Sequence, residues 1–311
     1  MEIFKPTRDI PFMRFARSTI FLSIFFILAS IVLLATKGLN LGVDFTGGTV
    51  MEVGYPVAAD LPAIRDHLGK NGFGDAQVQS FGTSTDVLIR LPVKEGSTSA
   101  QLSEKVFGLL KQADAKVELR RVEFVGPQVG KELFDDGALA LIVVSIGISL
   151  YLAVRFEWRF AAGAIFATAH DIFIVLGVFS LFQWEFSLTV LAAVLAILGY
   201  SVNDTVVVFD RIRENFRTTR MTNIAAIMDN AKTATLSRTI LTSGMTQLMV
   251  LAMLLFGGET LHGFALALTI GIVVGTYSSV LVASPVVLWL GITREQFIKP
   301  IKKDDEAEMM P

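Results

Sequence analysis

The sequence predicts an integral membrane protein: an α-helical bundle of six transmembrane helices with one α+β, ferredoxin-like extracytoplasmic domain. Three observations lead to this fold class. Hydrophobic residues make up 52% of the 311 positions and charged residues only 18%, below the roughly 25% usual for soluble globular proteins. Six segments are apolar over the length of about 20 residues that a spanning helix needs. One long polar stretch follows the first of them.

The first apolar segment, 18–36, follows a basic stretch, 1–17, which we expect to lie in the cytoplasm. A cleaved signal peptide begins in the same way. We expect a retained helix instead, because the segment is long and because 36–39 offers no small-x-small cleavage site.

The other five apolar segments make up the region 136–290. The last of them is longer than a span requires, so we expect it to tilt or to begin in the interface. A cytoplasmic tail, 291–311, completes the chain. The five segments are 136–154, 160–182, 186–209, 239–257 and 263–290.

Basic side chains alternate along the connections between these segments. The N-terminal stretch, the tail, and the connections after the second and fourth segments carry Lys and Arg, whereas those after the third and fifth carry none. Because short cytoplasmic loops are the basic ones, both termini of this multi-pass membrane protein are predicted to be cytoplasmic. The segment 37–135 then lies on the outer side.

This outer segment reads as a small folded domain with two helices interleaved among four strands. Such an order is typical of a split βαβ, ferredoxin-like sandwich. It contains no cluster of catalytic type, so we expect a binding or mechanical domain. The predicted strands are 50–55, 76–81, 86–91 and 116–125, and the predicted helices are 61–71 and 99–113.

Several functional classes are disfavoured by composition. The formal net charge of −2 gives no indication of nucleic-acid binding, and the absence of cysteine excludes disulfides, thiol catalysis and Cys-based metal sites. No nucleophile–base pair or metal-ligand spacing appears. We therefore predict no catalytic residue, no metal and no cofactor.

A few ionisable or amide side chains fall inside the apolar segments. Each is a candidate for function, because a charged group in a bilayer costs about 3 kcal/mol or more. The candidates are His170 and Asp171 in the third segment, Asn203 and Asp204 in the fourth, and Arg238, Thr239, Thr242 and Ser243 at the start of the fifth.

Asp204 is the strongest of these candidates. It precedes Asp210 by six positions, which puts it roughly 9 Å inside the cytoplasmic edge. Arg238 could reach it if the fourth and fifth segments are neighbours. A carboxylate beside Arg stays ionised and a desolvated one tends to take up a proton, so a carboxylate that moves between such environments can carry a proton.

Structural interpretations compete with these functional ones. Arg238 could simply extend to the lipid headgroups, and Asp171 could be a packing residue with His170 as its partner. For Asp204 this alternative is weaker, because neither it nor Asn203 can reach far from a lipid-facing position. The Gly-rich segment 42–48 favours a tight turn over a phosphate site, since it lacks a Lys-Ser/Thr ending.

The motifs together resemble the SecF family, the smaller membrane subunits of SecD–SecF pairs in bacterial Sec protein export. The resemblance runs along nearly the whole chain, and the fourth motif is long and specific. The matching motifs are GVDFTGGT (42–49), VGPQVGKEL (125–133), AHDIF (169–173), SVNDTVVVFDRIREN (201–215) and LSRTILTS (236–243).

The resemblance implies membership of the resistance-nodulation-division superfamily and use of the proton (or sodium) motive force to assist preprotein translocation. The family's intramembrane Asp falls on Asp204 and its Arg on Arg238, while Asp171 matches the HD motif. The implied partners are SecD, the SecYEG channel, YajC, unfolded preprotein and membrane lipid, without nucleic acid.

Two other functions stay open at this point. One is half of an exporter of small molecules or lipids, although such exporters usually combine both halves in one chain with larger outer domains. The other is a purely structural partner of the channel, for which the intramembrane Asp and Arg would be dispensable.

Overall fold

The computed structural model of the chain describes residues 8–93, 98–293 and 297. In this part of the chain six helices are long and apolar enough to cross a membrane, which confirms the predicted bundle. Most of the predicted tail, and the first residues of the N-terminal stretch, lie outside the described residues.

The amino-terminal part of the chain contains one spanning helix and the outer domain. A 3-10 turn at Phe12–Phe15 leads directly into the helix. In chain order the elements are α1 (Ala16–Thr36), β1 (Asn40–Leu41), α2 (Val43–Thr46), β2 (Gly48–Gly54), α3 (Leu61–Lys70), β3 (Gln77–Phe81), β4 (Thr83–Leu91), α4 (Ser99–Ala113) and β5 (Glu118–Val125).

The outer domain is a four-stranded antiparallel sheet with two helices packed on one face. The strand order β3-β4-β2-β5 is that of a split βαβ sandwich. Between sheet and helices lies an aliphatic core that includes Met51, Leu68, Val87 and Val106. The predicted ferredoxin-like fold is therefore confirmed.

The rest of the chain forms the bundle. Helices α6, α7 and α9 bury the largest share of their apolar segments, whereas α1, α5 and α8 bury much less of theirs. The sixth span is divided between two helices. The elements are α5 (Pro127–Arg155), α6 (Trp158–Phe182), β6 (Glu185–Phe186), α7 (Leu188–Thr218), α8 (Ile224–Phe256), α9 (Gly258–Leu281) and α10 (Ala283–Trp289).

The Gly-rich segment 42–48 joins the domain to the bundle. Gly47 and Gly48 have φ angles of 70° and 139°, which L side chains rarely adopt. A Cβ on Gly48 would lie 2.7 Å from the carbonyl oxygen of Leu91. The segment therefore makes a tight turn against β4, and just before it β1 pairs in parallel with β6.

Candidate functional site

Helix α9 brings the two buried aspartates close to one another. It packs against α6, which carries Asp171, and against α7, which carries Asp204. Small residues permit the close approach: a Cβ on Gly271 would lie 2.3 Å from Ile197 Cδ1, and one on Gly275 would lie 3.6 Å from Asp171 Oδ2. The site is thus formed where three inner helices meet.

Asp204 is buried and bound by two hydroxyl groups from different helices. Thr239 of α8 donates a hydrogen bond of 2.9 Å to Oδ1, and Ser279 of α9 donates one to Oδ2. Among the residues that the structure describes, no cationic side chain forms an ion pair with this carboxylate. Asp204 is therefore held by hydroxyl groups from two helices rather than by a cation.

Asp171 is fully buried and has three partners. Ser201 of α7 and Ser278 of α9 donate to its Oδ2, at 2.5 Å and 2.7 Å. Its Oδ1 shares a hydrogen bond of 2.8 Å with Nδ1 of His170. The packing interpretation foresaw the His170 contact, but the serines also link Asp171 to the helices around Asp204.

Consecutive residues of α9 bind the two carboxylates. Ser278 donates to Asp171 and Ser279 to Asp204. Neighbouring residues of a helix project about 100° apart and 1.5 Å apart along its axis, so α9 contacts α6 with one serine and α7 with the next. One short stretch of backbone therefore connects both carboxylates.

Arg238 does not contact Asp204 in this structure, although the sequence left such a contact open beside an extension to the lipid headgroups. Its side chain is exposed, and no ion pair involves it within the described ranges. Thr239, one residue further along α8, makes the contact instead. The reason is helical rotation, because one residue turns the side chain by about 100°.

The remaining predicted residues divide between the outside and the inside of the bundle. Asn203 and Thr242 are exposed, and the Thr242 hydroxyl bonds to backbone carbonyls of its own helix. Ser243 is buried beside the ring hydroxyl of Tyr200.

On the outer side of Asp204, several polar atoms are buried without a regular hydrogen bond to the described part of the chain. They come from the facing surfaces of α7, α8 and α9, and their helix positions put them one to three turns from Asp204. The atoms are Tyr200 Oη, Ser243 Oγ, Gln247 Oε1 and Thr269 Oγ1.

Sequence reasoning named Thr239 as a polar residue of the fifth span but did not assign it to a carboxylate. It missed Ser201, Ser278 and Ser279 as ligands. A usable signal was present: two serines follow the small-residue pair Gly271 and Gly275 in an otherwise apolar segment. Hydroxyl groups are common in membrane helices, however, and their partners depend on helix rotation. In the described residues no group of three or more His, Asp or Glu side chains could hold a metal ion.

Comparison with known families agrees with the resemblance seen in the motifs. Residues 105–293 match the model described as protein export membrane protein SecD/SecF, C-terminal. Residues 32–55 match the SecD/SecF GG motif, which contains the turn segment 42–48. The two matches together span both the bundle and its junction with the outer domain.

Individual relatives match over most of their length. The chain is 51% identical to the protein translocase subunit SecF of Vibrio alginolyticus, over 99% of this chain and 98% of that one. It is 51% identical to the SecF of Pseudomonas aeruginosa, over 86% and 87% of the two chains. These relatives are translocase subunits, which favours that function over a small-molecule exporter.

Solved structures show the same architecture within longer chains. SecDF from Thermus thermophilus, described as a translocon-associated membrane protein, superimposes with a TM-score of 0.83 at 36% identity, over 92% of this chain. A SecDF structure in a super-membrane-facing form gives 0.70 at 34% identity. This chain spans about two-fifths of each, at 39% and 41%. The chain therefore belongs to the SecD/SecF family of protein-export membrane proteins, in its SecF branch.

Proposed function

We propose that this protein works with SecD to drive preprotein translocation by ion movement, and that Asp204 binds and releases the ion. The observation that carries the proposal is the environment of Asp204: a buried carboxylate bound by hydroxyls, with no counter-charge among the described side chains. Buried carboxylates in membrane helices are rare and usually mark an ion pathway.

The hydroxyl partners suit a carboxyl group that changes its protonation state. A Ser or Thr hydroxyl donates to an ionised carboxylate and can rotate to accept from a protonated one. Thr239 and Ser279 can therefore serve both states without leaving their positions. A Lys or Arg partner has no acceptor and would favour the ionised state alone.

The SecD partnership is supported by polar side chains that are exposed on the side of the bundle, within the depth of the membrane. Arg238 and Asn203 are exposed near the depth of Asp204, since the neighbouring residues Thr239 and Asp204 are in contact. Such side chains are costly against lipid, so this surface suits a second subunit. The solved SecDF chains also carry additional sequence beyond the part matched here.

The wider setting rests on the family. We propose an inner-membrane location with both termini in the cytoplasm, based on the distribution of Lys and Arg. The SecYEG channel, YajC and unfolded preprotein stay predicted partners, and no catalytic activity is proposed. Protons or sodium ions could occupy the site, and the experiment below distinguishes them.

The test is Asp204→Asn, which keeps the shape of the side chain but cannot gain or lose a proton. In inverted membrane vesicles with SecD, we expect it to abolish gradient-stimulated preprotein export while the complex still co-purifies. Imposing a proton or a sodium gradient separately identifies the ion.

Asp210→Asn is the matched control on the same helix. Asp210 pairs with Arg155 at 2.7 Å, near the cytoplasmic end of α7, and we expect its variant to export normally. Normal gradient-driven export by Asp204→Asn would refute the proposed function.

A further inference from the structure

The outer domain and the helix that carries Asp204 are not consecutive in the chain. The domain is joined by peptide bonds to α2 through Gly47 and to α5 through Gly126. Helix α7 follows β6, and 144 residues separate the contacting positions of the two regions. Any movement of α7 therefore reaches the domain only through noncovalent contacts or through other helices.

One of these contacts is made by Asp44 in the Gly-rich segment. Its Oδ2 accepts a hydrogen bond of 2.8 Å from the backbone N–H of Leu188, the first residue of α7. The first N–H groups of a helix have no partner inside it, and its amino end carries partial positive charge. A carboxylate at this position is thus held both by a hydrogen bond and by the helix dipole.

The surroundings of Asp44 keep the contact in register. The N–H of Gly42 donates to the carbonyl of Phe186 at 2.9 Å, and the ring of Phe45 stacks on Phe186 with centroids 6.0 Å apart. A Cβ on Gly42 would lie 3.3 Å from Ser187 Cα, so the two backbones are in close contact here. The segment is therefore fitted to the start of α7.

A second contact comes from the body of the domain. Arg90 of β4 is almost fully buried and forms an ion pair with Glu185 of β6. Burial lowers the pKa of Arg90 to about 10, and the charge of Asp44 opposes that change. The guanidinium thus remains charged at neutral pH and lies in the field of both carboxylates.

Helix α7 can carry displacement from one end to the other. It is continuous from Leu188 to Thr218 and contains no proline. Asp204 lies 16 residues from Leu188, or about 24 Å along the axis. Asp44 in turn lies four residues before Gly48, where the central strand β2 begins.

We propose that Asp44 is a positioning residue that transmits movement of α7 to the outer domain. Through the N–H of Leu188 it ties the Asp204 helix to β2, and the Arg90–Glu185 pair keeps the adjoining strand of the domain in place. This inference rests on the proposed function, because it assumes that ion binding at Asp204 displaces α7.

The absence of cysteine from the natural sequence makes a direct test possible. Asn40 and Glu185 are paired across the β1–β6 bridge, at a strand spacing that a disulfide can span. The double variant Asn40→Cys, Glu185→Cys places a bond at this junction that can be formed and reduced at will. Because it also removes the Arg90–Glu185 ion pair, every Asp44 variant is compared with the same cysteine pair carrying the native Asp44.

The first readout needs no assumption about ions. In resting vesicles containing SecD, we expect Asp44→Ala to slow disulfide formation between the introduced cysteines by about fivefold or more, because the junction opens. Unchanged cross-linking would overturn the proposal. Asp44→Asn, which keeps an acceptor oxygen, should retain most of the cross-linking. If the alanine variant does not accumulate, the rate of cross-linking is compared between Asp44→Leu and Asp44→Asn instead.

The second readout is gradient-driven export. Asp44→Ala should lose most of the stimulation, and oxidation of the cysteine pair should restore it, with reduction removing it again. Lost export that the disulfide does not restore overturns the proposal. Normal export by Asp204→Asn would refute ion coupling at Asp204 instead, and the cross-linking result would then still decide whether Asp44 holds the junction.

Discussion

The core of the outer domain and the centre of the bundle are equally buried but chemically opposite. In the domain, Met51, Val87 and Ile89 are fully enclosed among other aliphatic side chains. In the bundle, Asp171 and Ser278 are enclosed to the same degree. An aliphatic core stabilises a fold, whereas buried polar groups cost stability and are retained for another reason.

This contrast predicts that substitutions in the domain core mainly lower stability, whereas substitutions at the bundle centre mainly lower transport. Ile89→Ala should have the largest effect on stability, about 2–5 kcal/mol, because it removes buried methyl groups and leaves a cavity. Denaturant titration of the full-length protein, followed by limited proteolysis of the outer domain, measures it. Leu119→Ala on the exposed strand is the control; equal costs for the two would remove the contrast.

At the bundle centre the expected effect moves to transport. Ser279→Ala removes a hydrogen bond to the Asp204 carboxylate, worth about 1.5–3 kcal/mol when the acceptor is charged, so we expect gradient-driven export to fall about tenfold or more. Ser284→Ala, which removes a buried hydroxyl without a partner in the described chain, should leave export unchanged. An equal loss in both variants would indicate general damage to the bundle.

A smaller effect is expected one turn from the carboxylate. Ser243→Ala should slow export about two- to fivefold with little change in stability, since its hydroxyl makes no regular hydrogen bond to the described residues and so loses none on substitution. Thr242→Val is a neighbouring control, because that side chain is exposed and bonds to its own helix. Export is measured with matched amounts of each protein. Slower export in Ser243→Ala than in Thr242→Val would support a polar path, and equal export would indicate that Ser243 only packs.

The smallest effect lies in the outer domain and appears only in alkali. Burial raises the pKa of Tyr55 to about 12, with the charge of Asp114 adding to the rise. The folded domain keeps this proton while the unfolded chain releases it near pH 10, so stability should fall as the pH rises from 10 to 12. The difference between the absorbance titrations of the wild type and of Tyr55→Phe measures the pKa of the Tyr55 phenol. A phenolate that forms near pH 10 in the folded protein would contradict the raised pKa.

Much of the fold could be predicted because its signals are local. Apolar length identified the spans, and alternation with turn residues identified each strand of the domain; the predicted helix 99–113 is the observed α4. Strand boundaries moved slightly where backbone pairing extends past the apolar pattern, as in β2, which begins at Gly48. Two helices begin well before the predicted apolar segments 136–154 and 239–257: α5 starts at Pro127 and α8 at Ile224, in polar sequence that hydropathy does not mark as helix.

The site was predictable only in part. The cost of a buried charge selects Asp171 and Asp204 from the sequence, because that cost depends on residue type and depth. It does not determine which face of α8 meets Asp204, and an apolar helix gives no rotational signal. Thr239 therefore occupies the place that the sequence suggested for Arg238. The Asp44 contact with Leu188 was also missed, since nothing local links residues so far apart.

If Asp204 binds an ion as proposed, the two serines of α9 couple its occupancy to that of Asp171. Because Ser278 and Ser279 are consecutive, a displacement of α9 that favours one aspartate also moves the donor of the other. Occupancy of either carboxylate then changes the free energy of occupying its neighbour, and this linkage is reciprocal.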